Sequence, residues 1–352
     1  MARQKRIPVA VLGATGAVGQ RFAQLLADHP WFEVVALAAS ERSAGQRYRD
    51  ACQWVISGDP PAAIGEMVVQ PLEPSLPGQI VFSAVPSSVA REVEPQFAQA
   101  GYLICSNAST HRNVADIPLL IPEINADHLA LIGYQRERRG WSGLIVTSPN
   151  CTITGVAVAL KPLHDVFNLR RVFMTSMQAV SGAGYPGVSS LDIIGNVVPH
   201  IPGEEEKFQQ ELAKMLGSAS DDHLAPADIV VSAHANRVPV LDGHTVSISA
   251  GFERAPTAHE AIDVLRNYRP PEICRRLPSS PDRLIHVRME PDRPQPRRDR
   301  DAAAGMAVSV GRIRPCPLLD LRMTTVTHNT LRGAASGAIL NAELLVAQGY
   351  TG

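Results

Sequence analysis

The run Ile7–Leu12, IPVAVL, passes without a break into Gly13-Ala14-Thr15-Gly16-Ala17-Val18-Gly19. An unbroken β-branched and aliphatic run of this length suits a strand buried on both faces of a parallel sheet. The turn behind it opens a helical pattern with Phe22, Leu25 and Leu26 on one side. Gly13, Gly16 and Gly19 let the backbone approach an anion, whose charge is favoured at the helix N-terminus. The spacing is GxxGxxG rather than GxGxxG, so the strand–loop–helix setting carries the inference more than the glycines do. Further strands are expected at residues 33–38, 80–85, 102–105 and 144–147, with a helix over 89–100. That alternation predicts βαβ units, a doubly wound sheet and a dinucleotide site of the Rossmann type.

Beyond Ser148-Pro149-Asn150-Cys151 the texture changes. A helix is expected over 152–163. Strand-like runs follow at 171–180, 229–235, 245–252, 285–290 and 306–313, separated by long polar connections. One clear helix starts at Thr257, which forms a capping box with Glu260. Residues 291–300 are rich in Pro and Arg and read as a loop. These features predict an α+β domain built on a larger antiparallel sheet. The segment 329–347 is too apolar to stand alone as a helix, so it is expected to pack back on the first domain. The expected division is therefore 1–150 with 329–352 for the nucleotide, and 151–328 for catalysis and dimerisation. A chain of 352 residues is long enough for both.

Composition removes several function classes. There are 33 Lys and Arg against 34 Asp and Glu, without the basic excess a nucleic-acid binder needs. No run of about 18 apolar residues exists to span a membrane. Residues 3–6 are polar or basic and lead into an apolar run too short for a signal-peptide core, so the cytoplasm is the expected location. The five cysteines are odd in number and show no CxxC pair. That argues against a disulfide framework or a zinc site and leaves room for one reactive thiol.

Cys151 is the candidate for that thiol. It follows a strand and begins a helix, with Asn150 as a natural N-cap. Unpaired N–H groups and the helix dipole there are expected to lower its pKa. A nucleophilic thiol needs an acid/base partner. Among 11 histidines, His244 is singled out by Arg237-Val238-Pro239-Val240-Leu241-Asp242-Gly243-His244, which places it at the start of an alternating strand. Arg237 has the geometry to grip a carboxylate with two parallel hydrogen bonds. Glu204 and Lys207 sit three apart, on one helical face, and can enter a cleft together. Gln178, Ser181 and Gly182 end a strand in a flexible turn that suits the wall of a substrate site. At the end of the second strand, where an acidic residue would hold the ribose diol of NAD, stands Ser40, with Arg42 and Ser43 close by. A hydroxyl and a guanidinium suit a 2′-phosphate, so NADP is the expected cofactor. Thr15, Ala17 and Val18 of the glycine loop and Ser83 in the third strand complete the expected cofactor contacts.

Together these segments resemble the aspartate-β-semialdehyde dehydrogenases of the archaeal and fungal branch. The resemblance rests on GATGAVGQRF at 13–22, SPNCT at 148–152, QAVSGAG at 178–184, GEEEK at 203–207, RVPVLDGH at 237–244 and HNTLRGAA at 328–335. It implies that Cys151 forms an acyl thioester, that His244 is the acid/base and that Gln178 orients the acyl group. Arg237 and Glu204 would hold the amino-acid end of the substrate. Lys207, Asn150 and Arg112 would form the phosphate pocket, and Asn329 would contact the nicotinamide. The implied reaction interconverts L-4-aspartyl phosphate and L-aspartate 4-semialdehyde with NADP and inorganic phosphate, on the route to lysine, threonine and methionine. A homodimer or homotetramer, with the second domain's sheet at the interface, is implied as well. Two other readings compete. One is a sister thioester reductase, such as a malonyl-CoA or N-acetylglutamyl-phosphate reductase. The other is a non-enzymatic dinucleotide sensor, which would need no thiol and base together.

Overall fold

The computed structural model describes residues 6–351; residues 1–5, most of the polar and basic N-terminal stretch, and Gly352 lie outside the described residues. The first sheet contains β1 (Ile7–Leu12), β2 (Phe32–Ala38), β3 (Val69–Gln70), β4 (Ile80–Ser83), β5 (Leu103–Ser106) and β6 (Leu144–Thr147). Its order is β3-β2-β1-β4-β5-β6 and every pairing is parallel. The order reverses between β1 and β4, which makes a crevice beyond their carboxyl ends. The glycine loop lies there, tied to the end of β2 by hydrogen bonds from Gly13 N and Ala14 N to Ala38 O at 2.8 and 3.1 Å. The helix Ala17–Leu26 then buries Phe22 and Leu26 against Phe32 and Phe82.

Two strands come next, the short hairpin pair β8 (Ser218–Ala219) and β9 (Leu224–Ala225) aside: β7 (Leu169–Gln178) and β10 (Val230–Arg237). With β11 (His244–Phe252), β12 (Ile285–Arg288), β13 (Val308–Pro315) and β14 (Leu321–Thr327) they form a second sheet in the order β10-β7-β11-β14-β13-β12. This sheet is mixed, not antiparallel as the sequence suggested. Its central pairs are antiparallel, but β10 runs parallel to β7 and β12 to β13. Parallel neighbours need a crossover, and the helix Glu204–Met215 lies in the connection from β7 to β10.

The sequence reading also missed β14. Its Thr and Arg residues disguise an inward row of Leu321, Met323 and Thr325. The helix Leu131–Arg139 escaped too, because its last turn is three arginines; Gly140 ends it in a left-handed conformation with φ +65°. The stretch read as loop at 291–300 contains a short helix, Pro296–Asp299, started by its proline.

The helix Cys151–Phe167 packs its apolar length on the second sheet, burying Ile153, Val156, Leu160 and Leu163 with Val172, Val246 and Met323. The chain's last helical stretch opens as a π-helix, Leu331–Ala335, and continues as the α-helix Ser336–Ala347. Ile339, Leu340, Leu344 and Leu345 join the apolar cluster of Phe22, Phe32 and Phe82, so this helix returns to the first domain. Among the described residues no helix is long and apolar enough to cross a membrane.

The three loop glycines differ in what requires them. Gly13 has φ +72° and lies against the Ala84 carbonyl. A Cβ on Gly19 would overlap the Gly13 carbonyl oxygen and the Ala14 backbone, neither of which can swing aside. A Cβ on Gly16 would meet nothing nearer than the Gly13 oxygen, 3.5 Å away. We therefore expect Gly19→Ala to lose about 1–3 kcal/mol in urea unfolding. Gly16→Ala should stay within about 1 kcal/mol of the parent. Equal stability of the two variants would contradict the close packing of the turn.

Candidate active site

Asn150 organises the site. Its side-chain oxygen caps the helix that begins at Cys151, accepting from Thr152 N at 2.8 Å and Ile153 N at 3.4 Å. Its amide nitrogen donates to Glu204 Oε2 at 2.8 Å, and its backbone N–H donates to Glu211 Oε2 at 2.6 Å. Glu204 is buried, and it also receives Gln178 Nε2 at 3.3 Å and the Lys207 ammonium at 3.2 Å. The three-residue spacing seen in the sequence thus makes an ion pair rather than two independent groups.

Cys151 Sγ lies 3.1 Å from His244 Nε2. The other ring nitrogen, Nδ1, accepts the backbone N–H of Ala179 at 3.0 Å. A neutral imidazole that accepts at Nδ1 carries its hydrogen on Nε2, which therefore points at the sulfur. Gly243, at φ +99°, delivers His244 to the head of β11, and its N–H donates to Asn329 Oδ1 at 2.8 Å. Asn329 Nδ2 donates to Ser181 Oγ at 2.8 Å, which fixes the turn after β7. Glycine is required at 182: a Cβ would stand 2.8 Å from Arg237 Nη1 and 2.9 Å from His244 Cε1. Gly333 performs the same service on the far side, since its Cβ would lie 2.8 Å from that of Cys151. Arg237, buried at the end of β10 beside Gln178, donates from Nη1 to Ala179 O at 2.8 Å.

Burial opposes ionisation of the pair. Loss of water pushes the Cys151 thiol up to about 11, and the carboxylates of Glu204 and Glu211 push the same way, against Arg112 and Arg237. The expected lowering by the helix N-terminus is overturned in this state. Burial, followed by the charges of Arg237 and His328, holds the His244 imidazole down at about 3. Both partners therefore rest uncharged.

Arg112 faces the same site across Glu211, with Nη1 3.2 Å from Oε1, while Nη2 donates to Asn107 O at 2.8 Å. Its Nε is buried without a hydrogen-bond partner, a donor suited to an incoming anion. Glu211 was missed in the sequence, although Glu204, Lys207, Glu211 and Lys214 follow one another at spacings of three, four and three, a single helical face.

In the first domain, Gly16 is exposed and Thr15, Ala17 and Val18 are half-buried around it. No side chain caps that helix and its first turn holds no acid, so its N–H groups are open to an anion. Ser40 and Arg42 are exposed in the turn after β2, next to the loop, whereas Ser43 is buried. These residues fit a phosphorylated dinucleotide. Ser83 does not take part in this surface. It is fully buried and its hydroxyl faces the carboxyl of Glu94, itself pushed up to about 7 by burial.

A glycine loop at a strand-order reversal in one domain and a thiol–imidazole pair at the head of the other define a nucleotide-dependent dehydrogenase that works through cysteine. Residues 8–132 match the family model for the semialdehyde dehydrogenase NAD-binding domain, and residues 160–332 match that for its dimerisation domain. The chain belongs to the semialdehyde dehydrogenase family. It is 50% identical to an aspartate-semialdehyde dehydrogenase of Archaeoglobus fulgidus over 97% of this chain and 98% of that one. It is 45% identical to the enzyme of that name from Cryptococcus neoformans, covering 99% of both. The crystal structure of a Candida albicans aspartate-semialdehyde dehydrogenase with NADP superposes with a TM-score of 0.91 at 41% identity, covering 98% of this chain and 99% of that one.

The uncharged pair has a direct consequence for reactivity. At pH 8 a thiol held near 11 is about a thousandth thiolate, against roughly a fifth for an ordinary cysteine. Iodoacetamide labelling of Cys151 in the free protein should therefore be about a hundredfold slow and should climb nearly tenfold per pH unit between 8 and 10. A rate already level at pH 8 would place the thiol pKa lower and remove the opposition described here.

Proposed function

We propose that this chain is an NADP-dependent aspartate-semialdehyde dehydrogenase, interconverting L-4-aspartyl phosphate and L-aspartate 4-semialdehyde. The observation that carries the reading is the Cys151–His244 pair with a buried carboxylate, Glu204, and a buried guanidinium, Arg237, beside it. Charges of opposite sign at one thiol suit a substrate with an ammonium and a carboxylate. Malonyl-CoA has no ammonium for Glu204, so that alternative leaves this buried carboxylate with Lys207 as its single counter-charge and gives it no part in recognition.

In this reading Arg237 takes the α-carboxylate and Glu204 the α-ammonium. The ammonium cancels the Glu204 charge that adds to burial in holding the thiol proton, and the carboxylate cancels the Arg237 charge that adds to burial in keeping a second proton off His244. As the Cys151 sulfur attacks the acyl phosphate carbon and the C–O bond to phosphate breaks, the thiol proton passes to the departing phosphate, which leaves as hydrogen phosphate beside Arg112 and Lys207. Gln178 and Asn150 hold the acyl group in place. Bound NADPH supplies a hydride to the thioester carbon. The tetrahedral oxyanion then re-forms a carbonyl and expels the sulfur, which takes a proton from Nε2 of His244 once the imidazole has gained a second proton from solvent. General acid help of this kind is worth about 10²–10⁴ in rate.

Gly13, Gly16 and Gly19 with Thr15, Ala17 and Val18 hold the pyrophosphate, Ser40, Arg42 and Ser43 the 2′-phosphate end, and Asn329 the nicotinamide side. We assign residues 1–150 and 329–352 to the nucleotide domain and 151–328 to the catalytic domain. The second sheet, whose open face exposes Phe173 and Val230, is the proposed contact between copies in a homodimer or homotetramer. A cytoplasmic location accords with this metabolic role.

Phosphate-dependent reduction of NADP with aspartate semialdehyde is the decisive assay. Activity with malonyl-CoA and none with the semialdehyde would transfer the assignment to the sister reductases. Cys151→Ser should leave less than a few per cent of turnover and intact NADP binding. Arg42→Ala should weaken NADP and spare NAD.

The two ends of the substrate can be separated by kinetics. Arg237→Lys keeps the charge but loses the paired hydrogen bonds. It should cost about 1.5–3 kcal/mol, or one to two decades in kcat/KM for the semialdehyde. Lys207→Ala should raise the phosphate KM more than the semialdehyde KM. Equal shifts of both constants in both variants would mean that the pockets are not distinct.

A further inference from the structure

The helix Glu204–Met215 presents two buried charges that the reaction scheme does not use. Glu211 is 1% exposed. One of its oxygens accepts the Asn150 N–H, directly ahead of the nucleophile, and the other pairs with Arg112. Lys214, one turn further on, is 5% exposed. It donates from Nζ to three main-chain carbonyls, Arg112 O at 2.8 Å, Val114 O at 2.7 Å and Ile117 O at 2.7 Å. An ammonium has three hydrogens, so Lys214 has none left for substrate. Its partners all lie in the segment that carries Arg112, and Asn113 Nδ2 adds a bond to Gln210 Oε1 on the same helix.

We propose that Glu211 is a positioning residue that holds the phosphate-binding guanidinium of Arg112 and the helix cap before Cys151 in one fixed relation, with Lys214 locking the Arg112 loop to the same helix. This rests on Arg112 meeting the phosphate, as in the function proposed above. The physical case is direct. A carboxylate has two oxygens and here each serves one end of the reacting group, so the acyl carbon and the phosphate leaving group share one rigid reference. The Arg112 guanidinium keeps its Nε unpartnered for the ligand, because Glu211 and Asn107 O take its other nitrogens.

The test is Glu211→Gln in the full-length enzyme. Glutamine keeps the shape but turns an NH₂ group toward one of the two donors, so one of the two bonds is lost. Inorganic phosphate KM should rise about tenfold to a hundredfold while the semialdehyde KM moves less than about twofold. The pH profile of Cys151 alkylation should also move to lower pH, because the negative charge bonded to the residue before the thiol is gone. Lys214→Met should raise the phosphate KM with the alkylation profile unmoved, and Lys214→Arg should restore most of the loss. Equal change in both KM values, or an unmoved alkylation profile in Glu211→Gln, would overturn the proposal. If the parent enzyme shows no phosphate-dependent reduction of NADP, the function reading fails; the alkylation profile needs no substrate and still decides whether Glu211 acts on the nucleophile.

Discussion

Asn150 uses every hydrogen-bonding group it has, and the catalytic geometry follows from that. Its side-chain oxygen starts the helix of Cys151, its amide fixes Glu204, its N–H fixes Glu211 and its carbonyl accepts Thr154 N at 2.9 Å. The strand β6 ends three residues earlier, so the cap is also where the first domain hands the chain to the second. A residue at this hinge that merely ended a strand would leave the thiol free to turn. Here two carboxylates from a distant helix pin the cap from both sides, and the thiol direction is set by the helix behind it.

Burial of so many charges is costly unless each is paired. The site meets that demand by sharing. Glu204 is divided among Asn150, Gln178 and Lys207, and Glu211 between Asn150 and Arg112. Arg237 is the least satisfied of the group, with a donated bond to Ala179 O, and it is the side chain assigned to an external carboxylate. The backbone of Ala179 meets both Arg237 and His244, so the turn holding Ser181 and Gly182 sets the guanidinium and the imidazole together. Glycine at 182 is then a steric requirement of catalysis rather than a source of flexibility.

Much of this was legible in the sequence where the signal is local. The glycine loop, the cap before Cys151, the Thr257–Glu260 capping box and the apolar C-terminal helix each depend on neighbours a few residues away. What was illegible depends on partners far along the chain. The stripe Glu204, Lys207, Glu211, Lys214 reads as a solvated face, and becomes a buried one only because the segment with Arg112 folds over it from about a hundred residues upstream. The parallel edges of the second sheet have the same origin, since pairing direction is a property of crossovers. The thiol is the clearest case. Local reasoning sees a helix N-terminus and expects a thiolate, whereas burial reverses the outcome, helped by carboxylates that stand 54 and 61 residues on from Asn150.

That reversal links recognition to reactivity. The empty site holds a thiol and a neutral imidazole, and the groups responsible include the carboxylate and guanidinium assigned to the amino-acid end of the substrate. A ligand ammonium cancels the Glu204 charge that adds to burial at the thiol, and a ligand carboxylate cancels the Arg237 charge that adds to burial at the imidazole, while withdrawing the help Arg237 gives the thiolate. A ligand with only one of these groups relieves only one. Selectivity for an amino-acid substrate then arises in the proton equilibrium of the nucleophile as well as in binding, and the resting thiol stays poorly nucleophilic toward compounds that do not fit.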